Sequence, residues 1–338
     1  MWSSKPVTGI WNQVTDMKKK VCFIGGGSGI SQILRGLKHQ GYDLSAIVTM
    51  TDDGGGSGMI RSQWGLLPPG DLRNCLIALA NTEPTMSRLI NYRYKQGPLK
   101  GQNFGNLLIA TMSDMYGSFE QAVEELSQVL KVSGQVLPVT LDKNHLVARF
   151  ANGERCIGES AIPKVALKQK THIDRMELFP GGAKMFYHCE KILLDADAIV
   201  LGPGSLYTSV IPNLLVDGMV KALKKSKAKK ILLMNIMTQP GETDGYSLTD
   251  HIRALEAHSY PGLLDACLVN KTPLSETLRA SYQGKNRAEQ IFLEKEERRI
   301  LEKEGLVLVT GDFLDQSQGF ARHKTSTVDR ALKKFLLS

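Results

Sequence analysis

The strongest constraint on the fold comes early in the chain, where an apolar run is followed by a glycine-rich turn. VCFI (21–24) precedes the loop GGGSG (25–29), a helical pattern then ends at Gly41, and LSAIVTM (44–50) is a second apolar run. A strand, a tight turn, a helix and a strand in this order indicate a parallel sheet covered by helices. The pentapeptide GGGSG recurs at 54–58, just behind the second run. The sequence therefore opens like a doubly wound α/β sheet.

The same alternation of apolar runs and helical patterns continues along the chain. Helices are predicted at 30–41, 70–81, 85–94 and 106–130, the last one broken near Gly117. Later strands at 197–202, 230–237, 263–270 and 306–311 alternate with helices at 219–228, 247–258, 289–305 and 326–337. Short β-like runs at 136–140, 145–150 and 163–168 predict a small antiparallel β insertion at about 135–180.

These patterns predict an α/β fold. We expect a Rossmann-like doubly wound, mostly parallel sheet with the small antiparallel β insertion. Because no linker interrupts the rhythm, the sheet and the insertion are expected to form a single domain over 21–338. Residues 1–20 are expected to be an N-terminal extension.

The composition excludes several classes of protein. Apolar residues make up 42% of the chain and charged residues 22%, as in an ordinary soluble domain. No apolar run reaches the roughly 18 residues of a membrane span, and the N-terminus lacks the apolar core of a secretory signal. The five cysteines contain no CxxC pair and the seven histidines no HxxxH spacing, so we expect free thiols, a cytoplasmic location and no zinc site. The formal charge of +8 suits anions, but no RNP, KH or zinc-finger pattern indicates nucleic acid.

Four loops rich in glycine and small hydroxyl residues follow predicted strands. They read GGGSG (25–29), TDDGGGSGMIR (51–61), GPGSLYTS (202–209) and NIMTQPGETDG (235–245). Glycine lets a backbone approach a ligand closely, and N–H groups at a helix start attract anions. The candidate ligand-binding residues in these loops are Gly25, Gly26, Gly27, Ser28, Gly29, Thr51, Gly55, Gly56, Ser57, Gly202, Gly204, Ser205 and Thr238. A tight turn explains any one loop alone, whereas two GGGSG copies at adjacent strand ends are predicted to face one crevice and grip a diphosphate.

Two known phosphate-binding motifs do not match this sequence, which narrows the class of nucleotide-binding protein that the loops indicate. GxxxxGK[ST] is absent, and GxGxxG fails because Ile30 stands where the third glycine belongs. Asp52 and Asp53 nevertheless end the second strand, where a Rossmann protein places its ribose-binding acid, so NAD(P) remains an alternative ligand. The two aspartates also suit Mg²⁺ beside a diphosphate, a ligand hydroxyl, or the capping of their own turn.

Two further motifs add candidate binding residues. In GDLRN, Asp71 and Asn74 begin a helix, and Arg61 lies nearby in sequence. An arginine binds phosphate bidentately, although a structural salt bridge with Asp71 is an equal alternative. In GQNFGN, Asn103 and Asn106 suit a ribose, a sugar or a base edge, and they serve equally well as helix caps.

The segment ARHKTST (321–327) joins Arg322 to a histidine, a lysine and three hydroxyl residues. It is either a solvated loop before the last helix or a lid on the ligand. Phosphorylation at 325–327 would add about two negative charges beside these bases, which makes the segment a candidate regulatory spot.

Taken together, GGGSG, TDDGGGSGxxR, GDLRN, GPGSLYTS, NxMTQPGET and the RHKT-like tail resemble the gluconeogenesis factor family (YvcK type). That family is related to 2-phospho-L-lactate transferase (CofD), and the resemblance covers roughly 19–337. It implies a cytoplasmic protein that binds UDP-sugars, notably UDP-N-acetylglucosamine, and that is needed for cell shape and envelope synthesis on gluconeogenic carbon sources. No catalytic turnover is established for the family.

The resemblance also implies roles for particular residues. Gly25–Gly29 and Gly202–Ser205 would hold phosphates, and Asp52, Asp53 and Asn235 would line the polar centre. Arg322 and Tyr282 would reach the nucleotide or sugar end. The transferase, however, has GPSNP where this chain has GPGSLYTS, which favours the regulatory branch.

Three functions therefore stay open at the level of sequence. A UDP-sugar sensor would bind its ligand without turnover, a phospholactate-type transferase would consume a nucleotide-linked donor with Mg²⁺, and an NAD(P)-binding protein is the third candidate. Envelope-synthesis proteins, a kinase or a second copy of the chain are candidate partners. Neither nucleic acid nor membrane insertion is expected.

Overall fold

A seven-stranded parallel sheet forms the centre of the computed structural model, which describes residues 18–285 and 288–336. Its strands are β1 (Lys19–Gly25), β2 (Tyr42–Val48), β3 (Gln135–Pro138), β7 (Ala198–Leu201), β8 (Lys229–Leu233), β9 (Ala266–Asn270) and β10 (Val307–Gly311). Their order is β10-β9-β8-β7-β1-β2-β3, and all neighbours pair in parallel. The Rossmann-like sheet predicted from the sequence is confirmed.

The order of the strands creates a switch point at the centre of the sheet. From β1 the chain moves outward to β2 and β3, and from β7 it moves outward in the opposite direction to β10. β1 and β7 are neighbours, with Val21 opposite Ala198 and Ile24 opposite Leu201. Ligands of open α/β sheets bind outside the strand carboxyl ends at such a point. The loops that begin there are GGGSG (25–29) and GPGS (202–205).

Helices cover both faces of the sheet. They are α1 (Gly27–Leu37), α2 (Gly55–Trp64), α3 (Gly70–Leu79), α4 (Pro84–Ile90), α5 (Phe104–Tyr116), α6 (Phe119–Val129), α7 (Ile162–Gln169), α8 (Tyr187–Asp195), α9 (Ile211–Leu214), α10 (Met219–Lys225), α11 (Leu248–Ala257), α12 (Glu276–Lys285), α13 (Lys295–Lys303) and α14 (Thr325–Leu336). Side chains alternate along β1, so Val21 and Phe23 enter one core while Cys22 and Ile24 enter the other. Within the described ranges, no helix has the length and apolarity needed to cross a membrane.

The small antiparallel sheet exists, but its extent differs from the prediction. It consists of β4 (His145–Phe150), β5 (Arg155–Ile157) and β6 (Ile173–Phe179), with β4 in the middle. The run at 136–140 does not belong to it, because β3 pairs in parallel with β2 at the edge of the main sheet. The predicted strand at 163–168 was wrong as well. These residues form α7, which begins around Pro163 and buries Ile162 and Ala166, one helical turn apart.

Several elements were absent from the sequence prediction. The second GGGSG begins a helix, α2, rather than an extended loop, and GPGSLYTS continues into a π-helical turn (Leu206–Val210) and α9. The helices α8 and α12 and the short hairpin β11 (Leu314–Asp315) and β12 (Arg322–His323) were not predicted either. The predicted helix at 289–305 begins only at Lys295, because Gln290 forms a bridge to Met237. Most of the predicted extension at 1–20, and residue 337 of the last helix, lie outside the described residues.

Candidate functional site

A cleft of about 580 Å³ opens at the switch point, outside the carboxyl ends of β1, β7 and β8. We call it the switch-point cleft. The first turns of α1, the GPGS loop, the loop behind β8, Asn74 of α3, Tyr282 of α12 and the strand β12 form its walls. The predicted binding residues that line it are Ser28, Gly29, Asn74, Gly204, Ser205, Asn235, Thr238, Tyr282 and Arg322.

The glycines of the first GGGSG loop let the start of α1 lie close to the start of α3 and to the GPGS loop at this cleft. Gly26 is the N-cap of α1, and Gly27 and Gly29 lie in its first turn. A methyl group on Gly27 would lie 2.4 Å from the Cα of Asp71 at the start of α3. Only glycine lets the starts of α1 and α3 approach so closely. The Gly27 N–H donates to the Asp71 carboxylate, whereas Ser28 and Gly29, whose N–H groups have no acceptor within the helix, lie at the rim of the cleft.

Side chains from the loop behind β8 fix the shape of the GPGS loop. Asn235 accepts from the Gly204 N–H at 3.1 Å and donates to the Gly204 carbonyl oxygen at 2.7 Å. Gln239 donates to the hydroxyl of Ser205. Asn235, predicted to contact the ligand, therefore uses its amide to hold the loop that lines the cleft.

A buried glutamate holds the π-helical turn that follows. Glu242 is 3% exposed and accepts from the hydroxyl of Thr208 at 2.9 Å and from the Tyr207 N–H at 3.1 Å. Burial raises the pKa of Glu242 to about 7, although these hydrogen bonds act in the opposite direction. Thr208 is thus occupied by a structural contact.

The charges on the walls of the switch-point cleft favour an anion. Arg35 and Arg322 are exposed there, and the wall residues include no carboxylate in the part of the chain that the structure describes. His323 is buried, and its Nε2 donates to the Met234 carbonyl oxygen at 2.9 Å. Burial lowers the pKa of His323 to about 4, so this histidine is neutral at physiological pH. The positive charge of the cleft comes from the two arginines.

Two predicted residues at the far wall already have structural partners. The hydroxyl of Thr238 accepts from the Glu289 N–H at 2.8 Å. The hydroxyl of Tyr282 accepts from the Ala321 N–H at 3.1 Å, which attaches α12 to the hairpin of Arg322. Tyr282 keeps its own hydroxyl proton for a ligand.

The second GGGSG copy lines a different cavity, of about 530 Å³, between α2 and the start of β4. Of the predicted residues, Asp53, Gly55 and Arg61 line this second cavity, together with Lys143 and His145. The two copies therefore do not share one crevice, although they follow neighbouring strands. The predicted residues that line neither cavity are Gly25, Gly26, Gly27, Thr51, Asp52, Gly56, Ser57, Asp71, Asn103, Asn106 and Gly202.

Asp52 and Asp53 each use one carboxylate oxygen within the protein. Asp52 Oδ1 accepts from the Gly54 N–H at 2.9 Å, which is the turn-capping alternative. Asp53 Oδ1 accepts from the Ser160 N–H at 2.9 Å and so attaches the loop before α7. No three His, Cys, Asp or Glu side chains in the described ranges are grouped to hold a metal ion. Mg²⁺ at this place would need oxygen ligands from a bound phosphate, a common arrangement for this ion.

Several carboxyl groups behind the cleft lie close enough to raise one another's pKa values. Burial raises the pKa of Glu159 to about 8, and the charges of Asp52 and Asp53 raise it further. Burial and the charge of Asp52 raise the pKa of Asp71 to about 6. Glu159, Asp71 and Glu242 thus exchange protons near neutral pH, as general acids and bases do.

Two further predicted residues, Asn103 and Arg61, have structural partners in this conformation. Asn103 is the N-cap of α5 and accepts from the Asn106 N–H at 3.1 Å. Arg61 donates to the backbone carbonyls of Thr51 and Asn144, which joins β2 to the antiparallel sheet. The alternative of a salt bridge between Asp71 and an arginine is not among the ion pairs of the described residues.

Sequence reasoning missed four residues of this region, namely Gln32, Arg35, Glu159 and Gln239. Gln32 and Arg35 follow Ser28 by about one and two helical turns, so they share the cleft-facing side of α1. This spacing was visible in the sequence. Glu159 gave no signal, because only the folding of the antiparallel sheet brings it to the strand ends.

Comparisons with known proteins agree with this architecture. The family model of the 2-phospho-L-lactate transferase CofD matches residues 21–314. A relative from Clostridium acetobutylicum is 45% identical over 94% of this chain and 70% of its own length. The gluconeogenesis factor of Bacillus subtilis is 38% identical over 94% of this chain and 98% of that protein.

A solved structure supports the same assignment. The crystal structure of a member of the UPF0052 family from Bacillus halodurans superimposes with a TM-score of 0.88 at 41% identity. The match covers 93% of this chain and 98% of that one. The chain therefore belongs to the CofD family, within its gluconeogenesis factor branch.

Proposed function

We propose that this gluconeogenesis factor binds a UDP-sugar, UDP-N-acetylglucosamine first among them, in the switch-point cleft. The ligand makes it a cytoplasmic regulator that links carbon flux to cell shape and envelope synthesis. The observation that carries the proposal is the anion-complementary cleft: Arg35 and Arg322 line it together with Ser28 and Gly29 from the first turn of α1, and no carboxylate is among the described wall residues. A helix N-terminus and two guanidinium groups together suit a diphosphate.

The dimensions and polarity of the cleft agree with such a ligand. A volume of about 580 Å³ lies within the range of small-molecule sites. Ser28, Ser205 and Asn74 offer neutral hydrogen-bonding groups for phosphate, ribose or sugar oxygens. The resemblance of the sequence to the gluconeogenesis factors suggests UDP-sugars as the ligand class. The positive charge and the hydrogen-bonding groups of the cleft suit such a ligand.

A thermal-shift panel followed by mass spectrometry tests the proposal. The panel contains UDP-N-acetylglucosamine, UDP-glucose, GDP, NAD and NADP, each with and without Mg²⁺. A ligand at about 100 times its Kd adds roughly 2.7 kcal/mol to the free energy of unfolding, a shift of several degrees. We expect a shift with UDP-sugars and recovery of the ligand intact. A shift with NAD or NADP alone would contradict the proposal.

A transferase acting on a nucleotide-linked donor is the second candidate. The cluster of Glu159, Asp71 and Glu242 favours it, because carboxyl groups that hold protons near neutral pH suit general acid–base catalysis. The test adds candidate acceptors and Mg²⁺ to the bound ligand. Cleavage of the donor, abolished in Glu159→Gln and Asp71→Asn, would establish the transferase. An intact donor in all samples would favour the regulator.

A further inference from the structure

Arg73 is a buried cation directly behind the wall of the switch-point cleft. Its side chain is 8% exposed, and no carboxylate lies within salt-bridge distance of it in the described ranges. Its Nη1 donates to Asn106 Oδ1, and its Nη2 donates to Asn74 Oδ1 at 2.6 Å. Burial lowers its pKa to about 10, so the guanidinium is still charged at neutral pH. Its hydrogen bonds in the described ranges go to these two neutral amides, and its buried Nε has no partner. The charges of Asp71 and Asp52 stabilise the cation from beyond salt-bridge distance, but a buried charge without a direct ion pair is costly to maintain.

The contact with Arg73 decides which way the amide of Asn74 points. A guanidinium has donors only, so the Asn74 atom that faces it must be the oxygen. The Asn74 Nδ2 group then points away from Arg73, and no described residue accepts a hydrogen bond from it. Asn74 is partly exposed and lines the switch-point cleft. Its amide therefore presents a donor to whatever occupies the cleft.

The same arginine is connected to the second GGGSG copy. Asn106 accepts a hydrogen bond from Arg73 Nη1. Its own Nδ2 donates to the hydroxyl of Ser57 at 3.4 Å. Ser57 lies in α2, Asn106 in α5 and Asn74 in α3. The chain of contacts Ser57–Asn106–Arg73–Asn74 runs from one glycine motif to the cleft of the other, which holds the guanidinium in place from both sides.

We propose that Arg73 is a positioning residue that turns the amide of Asn74 into a hydrogen-bond donor for the phosphate groups of the ligand. The inference rests on the proposed function for the identity of the ligand, but its chemistry needs only a diphosphate. Arg73 also adds positive potential behind the amide without touching the ligand itself. The Asn74 donor acts in addition to the N–H groups at the start of α1.

A double-mutant cycle tests the role of Arg73. Binding of UDP-N-acetylglucosamine and of inorganic pyrophosphate is measured by calorimetry for the wild type, Arg73→Lys, Asn74→Ala and the double variant. Lysine keeps the charge but loses the fork that orients the amide. We expect Arg73→Lys to weaken binding about tenfold in the wild-type background and less than about twofold in Asn74→Ala. Arg88→Lys, an exposed arginine of α4, is the matched control and should leave binding unchanged.

The outcomes separate this inference from the proposed function. A merely structural arginine would weaken binding equally in both backgrounds, and that result would overturn the inference, as would no effect at all. If the protein binds pyrophosphate but not UDP-N-acetylglucosamine, the proposed function is refuted. The pyrophosphate affinities of the four proteins still test the role of Arg73 in that case. Binding of neither probe would refute both.

A second variant covers the case in which Arg73→Lys does not fold. Asn74→Asp keeps an acceptor for Arg73 and should fold, but it places a carboxylate oxygen where the donor faced the phosphates. We expect Asn74→Asp to lower the affinity for both probes about tenfold or more. Unchanged affinity in a folded Asn74→Asp variant would refute the role of Asn74, and with it that of Arg73.

Discussion

The Cα of Gly29 faces Pro203 so closely that a methyl group on Gly29 would lie 2.2 Å from the Pro203 carbonyl oxygen. This contact joins the start of α1 to the GPGS loop, the two elements that meet at the switch point. The glycine is required because neither a helix backbone nor a loop backbone can yield by more than a few tenths of an ångström without moving its neighbours.

The first prediction concerns this contact. Gly29→Ala should lower the free energy of unfolding by about 1–3 kcal/mol and weaken UDP-sugar binding, because the overpacked methyl group pushes α1 away from the loop. Denaturant unfolding and calorimetry measure the two effects. Gly181→Ala is the control, since a methyl group there meets nothing closer than 3.9 Å. Equal stability and affinity in both variants would contradict the role of the contact.

The second prediction concerns the side chain that holds the GPGS loop. Asn235→Ala removes both hydrogen bonds to Gly204, so the loop should become more mobile and the free energy of unfolding should fall by about 1–2 kcal/mol. Hydrogen exchange at the amides of Gly204 and Ser205 should accelerate and UDP-sugar affinity should fall. Asn152→Ala, in an exposed turn of the antiparallel sheet, is the control. Unchanged exchange at Gly204 would show that the loop does not need Asn235.

The sequence predicted the main sheet well because its signals are local. Each central strand is a short apolar run, and glycines mark the ends of several elements, as with Gly117, which ends α5 in a left-handed conformation. The prediction of a strand at 163–168 was wrong because six residues are compatible with the period of a strand and with that of a helix. The burial of both Ile162 and Ala166, four residues apart, identifies the segment as a helix.

The binding site was only partly predictable, for a different physical reason. Glycine loops identify strand ends, and Ser28, Gly204 and Asn235, each from the end of a different strand, line one cleft. Which strand ends share that cleft depends on strand order. β1 pairs with β7 on the side opposite β2, so the GPGS loop, and not the second GGGSG copy, completes it. Strand order is set by long-range packing that no local motif encodes.

The third prediction tests the charge of the cleft. Arg35→Gln should weaken UDP-sugar binding about tenfold at low ionic strength, because one of the two exposed guanidinium groups is lost. The difference from wild type should shrink as salt is added, since exposed charges are screened. Arg88→Gln changes the net charge equally at a site away from the cleft. An equal loss in both variants would assign the effect to overall charge instead of to Arg35.

The fourth prediction concerns pH and the carboxyl group of Glu159. Its pKa rises from the ordinary value of 4.5 to about 8 in the folded protein, through burial first and then through the charges of Asp52 and Asp53. Between these two pH values the folded state keeps a proton that the unfolded state releases. The free energy of unfolding must therefore fall as pH rises through this window, and the loss is complete above the folded pKa.

Glu159→Gln cannot ionise, so it should escape this loss. We expect the variant to match the wild type at acidic pH, below the unfolded pKa, and to exceed it above pH 8 by about 1.4 kcal/mol or more, since one pKa unit is worth about that much. Urea unfolding over a pH series measures the difference. The charges of Glu242 and Asp71 also raise the pKa of Glu159, so the difference includes the coupling of Glu159 to these two carboxyl groups. Glu124→Gln, on the exposed side of α6, should follow the wild type. A difference that stays constant with pH would mean that Glu159 is already ionised in the folded protein, and the case for a proton-holding carboxyl cluster behind the cleft would fall with it.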